Sequence, residues 1–484
     1  MENIQLNIFL DSFQLPGMQR IKISLIILPA FCIFFGACKK LVEVAPPHDS
    51  ITTATAFADD ESAQAEVNGI YSQLISGDQS SPSFGNGGIT IFAGLSSDEL
   101  SAFTSEIDVQ QFKKVSLLSN NLYLSQLWQQ AYTYLYQVNN CIEGLGNATG
   151  VSAAIKKQLT GECKFLRAFI NFYLVNLFGD IPYVSTTNFQ QTAILSRTPK
   201  DQIYQQIVAD LSEAEGLLSE DYQTGEKNRA NKWADIALLA RVYLYQKDWA
   251  NAGAKSDQVI NSGVYTLTDL NSIFLANSGE AILQFQPTIV NPGFNAPYEA
   301  NVFNIGPGIL NPNYFLTDEL INAFDTSDQR KSAWINSIDY NGQTYYYPFK
   351  YKDFGGNPGG NSSEYYMVLR LAEQYLIRAE ANAQQNKTME AITDLNIIRG
   401  RAGLVGLDNT LAQDQTLAAI EQERRIEFFA EWGHRWFDLK RTGRADAVLG
   451  IVKGSDWQSN DQLYPIPINE IRRDHNLVQN PGYQ

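Results

Sequence analysis

Ala240-Arg-Val-Tyr-Leu-Tyr-Gln-Lys-Asp-Trp-Ala-Asn-Ala252 aligns without a gap on Ala379-Glu-Ala-Asn-Ala-Gln-Gln-Asn-Lys-Thr-Met-Glu-Ala391, and an alanine opens and closes each stretch. Small side chains at those points let two antiparallel helices approach closely, the signature of tetratricopeptide-like units. A third pair, containing Phe165-Leu-Arg-Ala168, is related more loosely. The repeats are interrupted, so the expected fold is mainly α: helix pairs forming a curved scaffold, not an extended solenoid. Long irregular loops rich in aromatic residues are expected to interrupt it.

Apolar residues recur at helical spacing in 61–75, 122–145, 153–178, 200–218, 232–246, 249–261, 367–384, 389–401 and 417–432. Thr198-Pro199-Lys200-Asp201 is a helix start, with Pro near the first turn and an acid at the positive end of the dipole. Gly263 and Gly403 stand where helices should stop. Between about 266 and 364 the helical period fades, apart from a short stretch near 317–324, and Pro, Gly, Asn and aromatic residues rise. Ala281-Ile-Leu-Gln-Phe-Gln286 reads as a strand. A long insertion of this kind in a rigid scaffold points to function.

Composition narrows the classes. The chain has 484 residues, 44% of them hydrophobic and 18% charged, which describes a folded globular protein. Its net charge of −16, with no basic run to offset it, repels phosphates and argues against nucleic acid as a partner. Only Cys32, Cys38, Cys141 and Cys163 are present, too few for a disulfide framework. Cys141 and Cys163 lie in helical patterns on either side of one loop, which leaves both a disulfide and two buried thiols open.

The N-terminal region has the parts of an export signal. Arg20 and Lys22 precede an apolar run over residues 25–35, and Gly36-Ala37 leads into Cys38. The run is too short to span a bilayer, which takes about 20 residues. Residues 1–17 carry Glu2 and Asp11 and no basic residue, so translation is expected to start at Met18. The expected organisation is a signal over 1–37, a lipidated tether over 38–56 and one domain over 57–484. Small residues before a cysteine resemble a bacterial lipobox, which makes Cys38 the expected acylated residue.

Leu369-Arg-Leu-Ala-Glu-Gln-Tyr-Leu-Ile-Arg-Ala-Glu-Ala381 leads into Asp394-Leu-Asn-Ile-Ile-Arg-Gly-Arg-Ala-Gly403. Then come Glu423-Arg-Arg-Ile-Glu-Phe-Phe-Ala-Glu-Trp-Gly-His-Arg-Trp-Phe-Asp-Leu-Lys-Arg-Thr-Gly443, Tyr464-Pro-Ile-Pro-Ile-Asn-Glu470 and Gln479-Asn-Pro-Gly-Tyr483. In this order they resemble the SusD/RagB family of Bacteroidetes nutrient-binding lipoproteins. Phe165-Leu-Arg-Ala168 and Phe178-Gly-Asp-Ile-Pro-Tyr183 resemble its N-terminal half. The resemblance implies a surface-facing outer-membrane lipoprotein that binds glycan, or in some relatives peptide. It further implies delivery to a SusC-like TonB-dependent transporter. Read physically, Arg424, Arg425, Glu427 and Glu431 should pair along one helix. Trp436 and Phe437 should bury against the bundle, with Asp438 capping or pairing locally.

Catalytic chemistry finds little support. His48, His434 and His475 lack metal-ligand spacing, and neither nucleophile elbow nor phosphate loop is present. No catalytic residue, metal or cofactor is expected; a surface hydrolase built on a pair of carboxylates is the third reading. Binding chemistry fits better, because a sugar's C–H face packs on aromatic rings while its hydroxyls need amide and carboxylate partners. Candidate ligand residues are Phe92, Asp98 and Phe103 in one ring-bearing stretch, and Tyr298, Asn301, Phe303, Tyr314, Trp334 and Tyr346 in the insertion. Ala substitution of Trp334 or Tyr346 is expected to weaken binding without unfolding the protein. Rings at helical spacing in 127–136 read as core. A tetratricopeptide-like scaffold binding protein or peptide is the alternative.

Overall fold

Side-chain caps start several of the helices. Asn121, Asn231 and Asp248 each accept a bond from a backbone N–H of the first turn, at 3.0, 3.0 and 3.2 Å. The computed structural model describes residues 53–76, 82–287, 295–306, 311–356 and 360–483. The expected export signal, the expected start at Met18 and the expected acylation site Cys38 all lie outside the described residues. Thr53–Gln484 form one compact unit.

Among the helices are α1 (Asp60–Ser76), α2 (Gly88–Ser96), α3 (Ile107–Lys113), α4 (Leu122–Asn147), α5 (Ala153–Phe178), α6 (Lys200–Leu217), α7 (Lys232–Tyr245) and α8 (Trp249–Asn261). After them come α9 (Tyr298–Phe303), α10 (Gln329–Trp334), α11 (Leu371–Gln384), α12 (Thr388–Arg401), α13 (Gln413–Glu427), α14 (His434–Arg441) and α15 (Ala445–Val452). Neighbours pack in the order α4, α5, α6, α7, α8, α11, α12, α13. The mainly α scaffold of helix pairs is therefore present. The alanines act as expected: Ala240, Ala252, Ala379 and Ala391 are all fully buried. Ala240, Leu244, Ala252, Ile377 and Ala381 form one cluster that joins the first repeat to the second.

Strands are few and short. β1 (Leu100–Ala102) pairs antiparallel with β3 (Tyr314–Leu316), β2 (Ala281–Phe285) with β6 (Tyr366–Arg370), and β4 (Ile335–Tyr340) with β5 (Gln343–Pro348). The β4–β5 hairpin turns on Asn341 and Gly342, both at positive φ (51° and 80°), which a two-residue turn of this hand requires. One helix expectation is corrected here. Residues 367–370 are strand rather than helix, because Met367 and Leu369 pair with Gln284 and Leu283 and every residue of β6 is buried. Helix α13 also ends at Glu427, short of the expected 432.

The family-like stretch after α13 is a structural centre. Trp436 and Phe437 are buried, as expected. The charged residues pair differently from the expectation, across the fold rather than along α13. Arg424 bonds Asp438 at 2.7 Å, Arg425 bonds Asp98 at 2.8 Å, and Glu427 meets Arg330, Arg370 and Arg401. Glu431 meets Arg370 and Lys350. Gly433 sits at φ 68°, and a Cβ there would lie 2.5 Å from that of Ala93 on α2, so only glycine lets the two segments close. Cys141 on α4 and Cys163 on α5 are buried free thiols. Hydrogen bonding to Cys141, together with burial, pushes the Cys163 thiol well above its usual range.

Candidate functional site

The stretch from 92 to 103 is not an exposed loop. Helix α2 has all nine residues buried, and Phe92 stacks on Phe112 with centroids 4.4 Å apart. Asp98 is buried as well. Its carboxylate takes two bonds from Arg435 (2.8 and 3.0 Å) and one from Arg425 (2.8 Å). Burial alone would raise its pKa, but the two guanidinium groups hold it below the usual carboxylate value. Its role is to anchor the start of β1. Thr317 fastens the partner strand to the same point, donating to the Asp98 and Glu99 carbonyls at 2.6 and 2.9 Å.

This anchoring brings Phe103, just past β1, against three strands of the insertion, β3, β4 and β5. Phe103 lies 5.0 Å from Phe315, 4.5 Å from Tyr345 and 5.8 Å from Tyr340, centroid to centroid. All four rings are half-buried, so each leaves part of its surface open. On β4–β5 the alternation of side chains puts Asn336, Tyr340, Gln343 and Tyr345 on the same face, with Tyr346 on the other. The Tyr345 hydroxyl donates to Gln343 Oε1 at 2.9 Å, and Asn313 is exposed beside Phe103. Rings ringed by amides offer stacking surface and hydrogen-bond partners together.

The remaining candidates sort by burial. Tyr298, Phe303, Tyr314 and Trp334 are buried. Trp334 is fully enclosed, donates its indole N–H to the Leu270 carbonyl at 2.8 Å and lies under the Lys350 ammonium. These four, with Phe92 and Asp98, contact protein on all sides and are corrected to core residues. Tyr346 is half-buried against the main core. Asn301 accepts from Gly355 N at 2.7 Å, and its Nδ2 has no partner among the described residues, near the partly exposed Phe354. Sequence reading missed Phe315 and Tyr340; their membership depends on strand pairing between distant segments.

A second cleft, of about 740 Å³, opens beside α4. Trp128 and Tyr134 are core, as the helical spacing suggests, but Tyr136 is 55% exposed and faces this cleft with Tyr132 and the 78% exposed Phe189. Among the described residues no group of three or more His, Cys, Asp or Glu could hold a metal ion. No helix among them is long and apolar enough to cross a membrane.

Fold and site together define a helical-repeat scaffold with an open aromatic face. The model of the SusD family matches residues 324–483, and that described as starch-binding, associating with the outer membrane, matches residues 86–244. SusD-like protein P2 of Formosa agariphila is 26% identical, over 96% of this chain and all of the relative. Starch-binding protein SusD of Bacteroides thetaiotaomicron is 25% identical, over 81% of this chain and 84% of its own length. Among solved structures, a laminarin-binding SusD-like protein superposes with a TM-score of 0.76 at 25% identity, covering 88% of this chain and all of that one. A SusD superfamily protein of Parabacteroides distasonis gives 0.75 at 24% identity, over 90% of this chain and all of its own. The chain belongs to the SusD/RagB family.

Proposed function

We propose that this protein is a lipid-anchored outer-membrane protein that captures glycan on the Phe103–Phe315–Tyr340–Tyr345 face and passes it to a SusC-like TonB-dependent transporter, without turning it over. The observation that carries this reading is the half-open ring cluster flanked by the Gln343, Asn336 and Asn313 amides. A stacked ring contributes about 1–2 kcal/mol. Two or three rings with a few polar contacts then give a dissociation constant on the order of 1 mM to 0.1 mM, weak enough for release. Starch-binding and laminarin-binding relatives support glycan as the cargo. The lipobox-like residues before Cys38 and the family description support attachment to the outer membrane.

The test is a binding panel of diverse oligosaccharides and peptides with the products checked. One glycan class bound without turnover is the expected result. Peptide bound in its place would change the cargo, and released product would overturn the non-catalytic role.

A further inference from the structure

A cavity of about 630 Å³ lies between the C-terminal ends of α5, α7 and α14, the start of α6 and the segments near 460 and 480. Four cationic side chains line it, those of Lys200, Lys247, Lys440 and Arg441, and no carboxylate does. That is a reversal for a chain with 52 acids against 36 bases. Arg441 is committed to Glu380 and Asp438. The three lysines form no ion pair among the described residues; Asp180 and Asp201 act on Lys200 from outside the cavity.

Lys440 is the most informative of them. It is half-buried, its ammonium donates to the Asn176 carbonyl, and it sits 5.3 Å over the Trp436 ring. An ammonium has three donors, so two remain for an incoming acceptor. Burial, and then the charge of Lys200, push its pKa well below the usual lysine range, as befits a cation lacking a counter-ion. Lys247 holds a left-handed backbone (φ 61°) at the end of α7, where glycine or asparagine is the common choice. Asn460, also on the wall, adds an amide that could meet hydroxyls.

We propose that this cavity binds an oxyanion, a carboxylate or sulfate, either free or as the acid group of a sugar. Its size suits a small polar ligand, since ligand pockets run from about 300 to 1,000 Å³. None of the ring-face residues lines it, so the assignment stands apart from the capture face.

Calorimetric titration of the purified protein with glucuronate, inorganic sulfate and glucose tests this. Binding of glucuronate or sulfate below about 10 mM, with none for glucose, is expected. Glucuronate well ahead of sulfate assigns the site to sugar acids, and equal affinities assign it to free oxyanions. Lys440→Met should weaken binding about tenfold or more. The exposed pair Lys200→Gln with Lys247→Gln should do the same while leaving the melting temperature unchanged, which covers a Lys440 variant that fails to fold. No anion binding at about 10 mM, a response that glucose reproduces, or full affinity in the double variant would overturn the proposal.

Discussion

Replacing Glu427 with Gln removes one charge from a buried and balanced cluster. Its acids are Glu280, Asp328, Glu423, Glu427 and Glu431, and its cations are Arg330, Lys350, Arg370, Arg399 and Arg401. Glu427 faces three guanidinium groups. In E427Q, Arg330 keeps Asp328 and Glu423, and Arg370 keeps Glu280 and Glu431, but Arg401 is left with Glu280 alone. Breaking a buried pair so that a charge stands uncompensated costs about 3–5 kcal/mol, and the surviving partners put this variant near 3. Burial alone would raise the Glu427 pKa, yet Arg401, Arg370 and Arg330 hold it well below 4.5. The stabilisation is therefore present above the unfolded carboxyl's pKa and lost as pH falls below it. Urea unfolding at pH 7 should show the full gap between wild type and E427Q, and the gap should narrow on acidification below about pH 4.5. Adding Arg401→Met restores the balance and should recover about 1–2 kcal/mol relative to additivity. An E427Q stability within about 0.5 kcal/mol of wild type, or an additive double variant, would refute the reasoning.

Trp334→Ala should lower unfolding stability by about 3–5 kcal/mol, since the ring is fully enclosed and hydrogen-bonded; unchanged urea unfolding with lost glycan binding would return it to the ligand face. Glu299 is buried, and desolvation lifts its pKa to about 8 despite bonds from Thr90 and Tyr366. Its raised value means the folded state keeps a proton that the unfolded chain gives up, so stability drains as pH rises from about 4.5 to 8. Glu299→Gln should match wild type near pH 4 and exceed it above pH 8 by about 1–3 kcal/mol, under a ceiling of about 5 from the whole shift. Thermal melts across that range check it, and parallel curves would contradict it. Asp98→Asn, which takes the shared carboxylate charge from Arg425 and Arg435 behind β1, should cost about 3 kcal/mol of stability by the same reasoning and also weaken glycan binding, since β1 positions Phe103; urea unfolding paired with calorimetry on the folded variant checks both, and unchanged affinity would contradict the positioning role.

The helix pairs were legible because the alanine repeats and 3.6-residue periodicity are local. Helix 153–178 was read to the residue, and Ala240 and Ala391 proved to be contact points. Residues 367–370 read as helix in sequence because a fully buried strand carries no alternation, and its apolar run continues smoothly into α11. Gly88-Ile-Thr-Ile-Phe-Ala-Gly-Leu-Ser96 carries no helical signal for a similar reason: a helix buried on every side has no polar face to mark its period. For the site, the region was legible but the individual rings were not. Phe103 and Tyr345 differ from Phe92 and Trp334 in exposure alone, and exposure depends on long-range partners such as the Asp98–Arg435 pair. The pairing of Glu427 with three distant arginines had no local signal either.

Calorimetric titration of wild type and the Phe103→Ala/Tyr345→Ala variant with an oligosaccharide panel, followed by chromatography of the products, is the most direct test of glycan capture on the ring face. The expected result is one glycan class bound reversibly and recovered intact, with affinity falling about 30- to 1,000-fold in a variant whose unfolding stays cooperative. Equal affinity in the two proteins, or cleaved oligosaccharide from either, would contradict it.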